Sequence, residues 1–446
     1  MSALGRLVRM FALTTVGSLA LTSWTACDAS QPEVQACDGD ACPKWCVELE
    51  GDDCDILRPS CRERLFKAVR CVRGVKGQLP NVRLTSEDQL RAEAMANSMQ
   101  ELPEVLQDAG PDAGDAGAPS EPSLEDHWNR ALAMLGLQVA EPSMDEVDFL
   151  GGYYDSSMRS ITLVDRGEPQ DSPDKQRTLA HEFVHALQDQ EIGLTEARRG
   201  RTGTTDASLA MGCLTEGEAV LYEELSWGLL RGLPVDRQYF QRVFERRTKY
   251  NRDAVALADS PYDASWLLRY GVGAQFVTDA WLEGGVSEVA RLYDATPAST
   301  LQWMLGYRAA QEREEPLSLP LACIDGATPE GYERVRSDVF GAFVLYGFLS
   351  HNLVMNQLVE SELSWERALA WRQDRVEIFA GPTGQTAVSW RMRFDDEATA
   401  EAIAQALENQ HELALNVWRF GTELDVRAVS GTELPSWSVT DPAHCP

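Results

Sequence analysis

The chain has 446 residues, 44% of them apolar, and a formal net charge of −30 at pH 7. Its length suggests two or three domains, and the apolar fraction is sufficient to bury large cores. The strong negative charge argues against nucleic acid or an anionic membrane surface as the partner.

The N-terminus predicts an exported protein. Arg6 and Arg9 precede the apolar run "MFALTTVGSLAL", which is followed by "TSWTAC". This order is typical of a signal peptide, here over residues 1–26. Ala26-Cys27 resembles the end of a bacterial lipobox, which predicts a lipid on Cys27 as the only membrane contact. The alternative is ordinary secretion with Cys27 in a disulfide. We therefore expect a cell-envelope lipoprotein facing out of the cytoplasm, or a secreted protein.

A cysteine-rich module is predicted over residues 27–102, where a helix follows the cysteines. An even number of cysteines in an exported segment favours three disulfides over a zinc finger, because paired CxxC units and histidines are missing. Residues 103–123, rich in Ala, Gly, Pro and Asp, predict a disordered linker. The six cysteines are Cys37, Cys42, Cys46, Cys54, Cys61 and Cys71.

The main body is predicted to contain a helical domain over residues 124–325. It opens with the helix "LEDHWNRALAMLGL", and a β-hairpin follows in "VDFLGGYYDSSMRSITLVD". The next helix has a cap at Ser172, a proline at position 173 and a terminating Gly193. A second long helix, from Asp206 to about Leu233, is apolar on nearly all sides and is therefore expected to be buried.

The last part of the chain, residues 326–446, predicts a helix and a small α+β domain. The strand runs "RVEIFA" and "AVSWRMRF" surround a turn, and the helix "DEATAEAIAQALENQ" leads to the strands "ALNVWRF" and "ELDVRAVS". The predicted fold class is therefore α+β. It comprises a mostly helical domain with a β-hairpin edge, the C-terminal α+β domain and the N-terminal disulfide-rich module.

The segment "HEFVH" carries the strongest chemical signal. On a helix, His181 and His185 project from one stripe, and Glu182 lies on its flank. Two neutral imidazoles at this spacing can bind Zn²⁺, and the carboxylate can accept the proton of a water that attacks a carbonyl group. Since the chain has only six histidines, a chance arrangement is the less favoured interpretation.

A catalytic zinc needs a third protein ligand and an open fourth position. "LTEGEA" in the buried helix offers Glu216 and Glu218. The two lie about 200° apart around the helix, so only one of them can face the metal. A carboxylate in an apolar helix needs a cationic partner, which zinc would supply. Geometry alone leaves both glutamates open.

HExxH followed by a helix with "TEGEA" resembles the gluzincin zinc peptidases, particularly the aminopeptidase N type. The resemblance implies a zincin-like domain with Glu216 as the third ligand. It also implies, through "YGVGA", that Tyr270 stabilises an oxyanion. A segment that would bind a free N-terminus is missing, so aminopeptidase specificity is not implied. "HEFVHALQDQ", "EGEA" and "WRQDR" also resemble a group of putative exported bacterial and archaeal HExxH peptidases, over about residues 145–420.

Three further residues are candidates for roles near the site. Glu223 lies two turns beyond Glu216 and could orient a histidine, as an acceptor behind the metal ligands. Cys213 could approach the metal, although a buried thiol usually packs as a small apolar group. His351 competes with Tyr270 as a proton donor, although such a histidine is more often a packed core residue.

The sequence thus predicts an exported, lipid-anchored zinc metallopeptidase that acts on peptide or protein substrates. His181, His185 and Glu216 would bind Zn²⁺, Glu182 would act as the base, and Tyr270 would stabilise the oxyanion. The strand "SITLV" would bind the substrate backbone by β-augmentation. The alternative is a non-catalytic lipoprotein of the cell surface, with a binding or structural role, that uses zinc only for stability. A third possibility makes the cysteine module the functional part and the body its carrier.

The remaining cysteines predict one more disulfide. Cys213 is mid-helix and should stay reduced, whereas Cys323 and Cys445 lie in loop-like sequence. We therefore expect a Cys323–Cys445 bridge that fastens the C-terminal tail. The rival is a Cys213–Cys323 bridge, which would leave Cys445 free.

Overall fold

A computed structural model describes residues 49, 51, 53–92, 122–138, 151–194, 203–258, 260–312, 328–351, 361–408, 415–431 and 435–438. These residues form a mixture of helices and β-strands, in agreement with the predicted α+β class. None of the helices among them is long and apolar enough to span a membrane. The predicted signal peptide, Cys27 and most of the predicted linker lie outside the described residues.

The longer helices of the first part of the chain are α1 (Pro59–Arg73), α2 (Leu124–Met134), α3 (Pro173–Ile192), α4 (Thr205–Arg231) and α5 (Arg237–Leu257). They are followed by α6 (Pro261–Ala264), a 3₁₀ turn (Ser265–Leu267), a π-helical turn (Arg269–Gly273), α7 (Ala274–Asp294), α8 (Thr300–Leu305) and α9 (Tyr307–Glu312). Further along the chain are α10 (Gly341–Leu349), α11 (Ser361–Leu369) and α12 (Glu397–Glu408).

The strands are β1 (Asn81–Ser86), β2 (Gly152–Asp155), β3 (Ser160–Asp165), β4 (Thr328–Pro329), β5 (Glu333–Asp338), β6 (Trp371–Ala380), β7 (Thr386–Phe394), β8 (Asn416–Phe420), β9 (Glu423–Val429) and β10 (Trp437–Ser438). They form a three-stranded sheet in the order β1-β3-β2, a pair of β4 and β10, and a five-stranded sheet in the order β5-β6-β7-β9-β8.

Helix α4 lies at the centre of the helical part. The helices α1, α3 and α7 and the π turn pack around it. Its sequence is apolar on nearly all sides, and Leu209, Leu214 and Tyr222 are fully buried. This confirms the prediction of a buried helix, because a helix without a polar stripe can be covered on every side.

The structure differs from the predicted organisation at the N-terminal module. β1 pairs in parallel with β3, from Asn81 opposite Ser160 to Ser86 opposite Asp165. α1 packs against α3 and α4, and the rings of Phe66 and Phe183 are 5.2 Å apart. Residues 59–86 therefore pack onto the helical part through α1 and β1. The apolar face of α1 needs a partner, and the α3–α4 pair provides it.

The five-stranded sheet contains the four strands that the C-terminal sequence predicts, as β6 to β9, and α12 is the predicted helix; β5, at Glu333–Asp338, is a strand that the sequence did not predict. Its neighbouring strands are all antiparallel. α2, expected to open the helical domain, packs against this sheet, where His127 Nδ1 lies 2.7 Å from Thr386 Oγ1. The ring of Trp128 in α2 also contacts Phe340, beside α10. Helix α2, which the sequence assigns to the helical domain, therefore also contacts the predicted C-terminal domain.

Asp374, in the segment "WRQDR", joins the five-stranded sheet to the start of α10. Its carboxylate is fully buried and accepts hydrogen bonds from the backbone N–H groups of Phe340 and Gly341, each at 3.0 Å. It also accepts one from the indole N–H of Trp390, at 2.8 Å. The aspartate thus ties β6 and β7 to the start of α10.

The described cysteines agree with part of the disulfide prediction. Cys54 is bonded to Cys61, and Cys71 is also disulfide-bonded. Cys213 is a buried free thiol, as predicted. The predicted bridge between Cys323 and Cys445 lies outside the described residues.

Candidate metal centre

Helix α3 has the bounds that its sequence predicts. The hydroxyl of Ser172 accepts the backbone N–H of Lys175, Pro173 is the first helical residue, and Gly193 ends the helix with a positive φ of 63°. Phe183 and Leu187 are fully buried on the packed side of the helix. The caps define where α3 begins and ends, and the buried side chains define its packed side.

Three side chains from α3 and α4 converge on one point. The Nε2 atoms of His181 and His185 are 3.2 Å apart, and Glu216 Oε2 lies 3.3 and 3.2 Å from them, respectively. Four ligands about 2.0–2.1 Å from a tetrahedral zinc are about 3.3–3.4 Å from one another. The three donor atoms therefore have the separations of three corners of a zinc site. This buried group could hold a metal ion.

The second nitrogen of each imidazole has its own acceptor. His181 Nδ1 is 3.3 Å from Glu223 Oε2, and His185 Nδ1 is 2.8 Å from Gln188 Oε1. With both Nδ1 atoms donating, both Nε2 lone pairs point at the centre together with a carboxylate oxygen. Such an arrangement of acceptors requires a cation or a proton between them.

The electrostatics of the protein alone also favour positive charge at this point. Burial lowers the pKa of His181, but hydrogen bonds from its ring to Glu216 and Glu223 outweigh burial and raise this pKa to about 10. Burial raises the pKa of Glu216, whereas the charge of His185 and hydrogen bonds from both histidines bring it well below its usual value. In the metal-free protein, His181 and Glu216 therefore form a contact between a cation and an anion.

The structure distinguishes the two glutamates that the sequence leaves open. Glu216 faces the histidines, whereas Glu218 points to another side of α4 and pairs with Arg73, with 2.8 Å between their charged atoms. The cation that Glu218 needs is therefore a guanidinium from α1. Glu216 is the carboxylate in the group of three.

Glu182 and Tyr270 open onto the same cleft of about 420 Å³. Glu182 is buried, and this burial raises the pKa of its carboxyl group, against the charges of His185 and His181. The cleft is lined by Gly151, Gly152, Asp174, Arg177, Thr178, His181, Glu182, Glu223, Arg247 and Tyr270. A raised pKa strengthens a carboxylate as a base.

Tyr270 lies in the π-helical turn of Arg269–Gly273. Its ring is 6.1 Å from that of His181, and the negative charge of Glu216, followed by burial, raises the pKa of its hydroxyl. Single π turns inside helices often mark functional sites. Here the turn places Tyr270, the residue expected to stabilise the oxyanion, at the wall of the cleft.

No family model, curated protein or solved structure matches the chain. The roles of the residues therefore rest on the chemistry and the distances of the site itself.

The other candidates from the sequence have different outcomes. Glu223 lies behind His181, as expected of an orienting acceptor. Cys213 is fully buried and is not one of the three residues that could hold the metal. His351 follows α10 and is not among the residues that line the cleft.

The sequence interpretation missed Gln188 and Arg177. Gln188 lies three residues after His185 on the same helix, a spacing that helical geometry alone could have flagged. Arg177 forms an ion pair of 3.0 Å with Glu223 and also contacts Glu224. No local signal in the sequence could have found that ion pair, since it joins two helices.

The expectation for the substrate strand is wrong in one respect. β3, which contains "SITLV", is paired on both sides, with β1 and with β2. A strand with two partners has no free backbone groups for β-augmentation. Among the described residues, β1 and β2 are the two edge strands of this sheet, and Gly151 and Gly152 at the start of β2 line the cleft.

A larger cavity of about 610 Å³ lies away from this centre. It is bordered by parts of α7, α8 and α9 and by Trp371, Arg372 and Gln373 at the start of β6. None of the three potential metal ligands lines it. The chemistry therefore points to the smaller cleft.

Proposed function

We propose that this protein is a zinc-dependent metallopeptidase with the gluzincin set of ligands, His181, His185 and Glu216. The observation that carries the proposal is the convergence of their three donor atoms at 3.2–3.3 Å, with Glu182 beside them in an accessible cleft. Two imidazoles and one carboxylate with an open fourth position are typical of catalytic zinc sites.

When bound, zinc would polarise the scissile carbonyl group and acidify a water molecule. Glu182 would accept the proton of the attacking water and pass it to the leaving amine. Tyr270 would keep its proton, since its pKa is raised, and donate a hydrogen bond to the developing oxyanion. Glu223 and Gln188 would hold the two histidine rings in place.

The edge strand β2 would bind the backbone of a peptide substrate. Its position supports this role, because Gly152 at the start of β2 lines the same cleft as Glu182. We also retain the proposal of an exported protein anchored by a lipid on Cys27. The disulfides at Cys54–Cys61 and at Cys71 are typical of an oxidising compartment.

The decisive experiment compares the full mature chain with two variants. Wild-type protein and Glu182→Gln should each carry zinc, but only wild type should hydrolyse a mixed peptide library. The loss should reach several orders of magnitude, because the variant keeps the ligands and lacks the base. Asp174→Asn, which alters an exposed carboxylate in the same cleft, serves as the control.

The outcomes separate the candidate functions. Zinc without hydrolysis in the wild type would favour the alternative of a binding or structural lipoprotein. Equal hydrolysis by wild type and Glu182→Gln would refute the mechanism. Absence of zinc from both would refute the metal centre.

A further inference from the structure

Gln188 is fully buried beside the metal centre, and its amide orientation is determined by its neighbours. Its Nε2 lies 3.0 Å from the carbonyl oxygen of Thr215, 2.7 Å from Glu218 Oε2 and 3.1 Å from the hydroxyl of Tyr293. Carbonyl and carboxylate oxygens only accept hydrogen bonds, so the NH₂ group must face them. The amide oxygen must therefore face His185.

This orientation selects one form of the His185 ring. The oxygen of Gln188 only accepts, so His185 Nδ1, at 2.8 Å, carries the hydrogen. The lone pair of a neutral ring is then on Nε2, which faces His181 and Glu216. If the amide turned over, its NH₂ group would face Nδ1 and its oxygen would face three oxygens. The ring would then carry its hydrogen on Nε2 and could not bind a metal there.

Glu218 is the charged group among those that orient Gln188, and Arg73 in turn holds Glu218. Arg73 Nε and Nη2 are 2.9 and 2.8 Å from Glu218 Oε1, which leaves Oε2 to accept from Gln188 and from the hydroxyl of Tyr293. The guanidinium is buried, with a relative side-chain exposure of 6%. Its planar fork directs Nε and Nη2 to the same oxygen, Oε1, while Nη1 donates to Glu191, an arrangement that the single ammonium group of a lysine would not reproduce.

We propose that Arg73 is a positioning residue for the metal centre. Through Glu218 and Gln188, it holds His185 in the form whose Nε2 can bind zinc. Helix α1 thereby contributes to the metal site, although its sequence lies in the predicted N-terminal module. The inference rests on the metal-binding part of the proposed function and does not depend on peptidase activity.

The test measures the zinc dissociation constant of the full mature chain by competition with a chelator. Arg73→Met should weaken zinc binding by about tenfold, the lower end of the effect of losing a direct partner of a ligand, because Arg73 acts through Glu218 and Gln188. Arg73→Lys should have an intermediate effect, because one ammonium can hold the carboxylate but not through two bonds. Arg73→Lys also keeps the test open if Arg73→Met fails to fold.

Glu191→Gln is the matched control. Glu191 is the other carboxylate on Arg73, with 2.7 Å between the charged atoms, and it does not contact Gln188 in the described hydrogen bonds. This variant disturbs the same guanidinium but leaves its link to Glu218. Its zinc dissociation constant should stay within about twofold of the wild-type value, a smaller change than the one expected for Arg73→Met.

A double-mutant cycle separates positioning from general destabilisation. If Arg73 acts through Gln188, then Arg73→Lys combined with Gln188→Leu should bind zinc no more weakly than Gln188→Leu alone. Additive losses would overturn the inference, as would wild-type affinity in both Arg73 variants. A wild-type chain that binds no zinc would overturn the metal centre and this inference together. If the wild type binds zinc and the Arg73 variants bind it equally well, this inference is overturned but the metal centre is not.

Discussion

A Cβ atom added to Gly217 would lie 2.4 Å from the carbonyl carbon of Gly273. The reverse contact is equally close, since a Cβ on Gly273 would lie 2.4 Å from the carbonyl oxygen of Cys213. Helix α4 and the π turn therefore pack backbone against backbone, which only glycine permits. Glu216 and Tyr270 lie beside this contact, so the glycines of "TEGEA" and "YGVGA" determine how closely the two approach.

Gly217→Ala should destabilise the protein and weaken the metal centre. The new methyl group meets backbone atoms, which cannot rotate away, so we expect a loss of about 1–3 kcal/mol in the free energy of unfolding. Zinc affinity should fall as well, because Glu216 is displaced. Chemical denaturation and chelator competition measure the two effects. Gly203→Ala, where a Cβ meets nothing within 4 Å, is the control. Unchanged stability in Gly217→Ala would contradict the close contact.

His185→Ala should abolish stoichiometric zinc. Purified wild-type protein should carry about one zinc per chain, as expected for a single site with three protein ligands. Metal analysis by mass spectrometry measures the content. His127→Ala removes a buried histidine beside the five-stranded sheet and should keep the metal. A His185→Ala protein that retains its zinc would show that the ligands are elsewhere.

Tyr270→Phe should keep zinc and lower kcat by about 10²–10³, the usual cost of one lost oxyanion donor. KM should change little, because the hydroxyl acts on the developing charge and not on the bound substrate. Steady-state kinetics on a cleaved peptide measures both constants. Tyr250→Phe, on the exposed face of α5, is the comparison. A kcat within twofold of wild type would assign Tyr270 to packing.

Zinc binding should release about one proton near neutral pH. Burial disfavours charge on His181, but Glu216 and Glu223 raise its pKa to about 10 in the metal-free protein, so this ring is protonated at pH 7. The metal must displace that proton, so zinc affinity should rise as the pH increases toward this pKa. Calorimetry in buffers of different ionisation enthalpy counts the protons. An enthalpy independent of the buffer would show that no proton leaves.

Asp374→Ala should unfold more easily without affecting the chemistry of the site. It leaves two backbone N–H groups and an indole N–H without their acceptor, at a cost of roughly 3 kcal/mol or more. Thermal unfolding measures the loss. Asp395→Ala removes a more exposed carboxylate, paired with Arg372, and should cost less than about 1 kcal/mol. Equal stability of the two variants would refute the structural role of Asp374.

Several elements were predictable from local sequence. Ser172, Pro173 and Gly193 determine the bounds of α3, because caps and a left-handed glycine act over a few residues. Helical periodicity then places His181 and His185 on one stripe without any tertiary information. The strands β6 to β9 and helix α12 also follow from their own periods and turns.

Only the tertiary structure decided which carboxylate faces the histidines. Glu216 and Glu218 lie on different sides of one apolar helix, and each needs a cation. Arg73, 145 residues before Glu218, supplies one of these cations. A buried charge takes its partner from whichever element packs against it, and packing joins residues that are distant in the chain. The pairing of β1 with β3, which closes β3 to substrate, was decided in the same way.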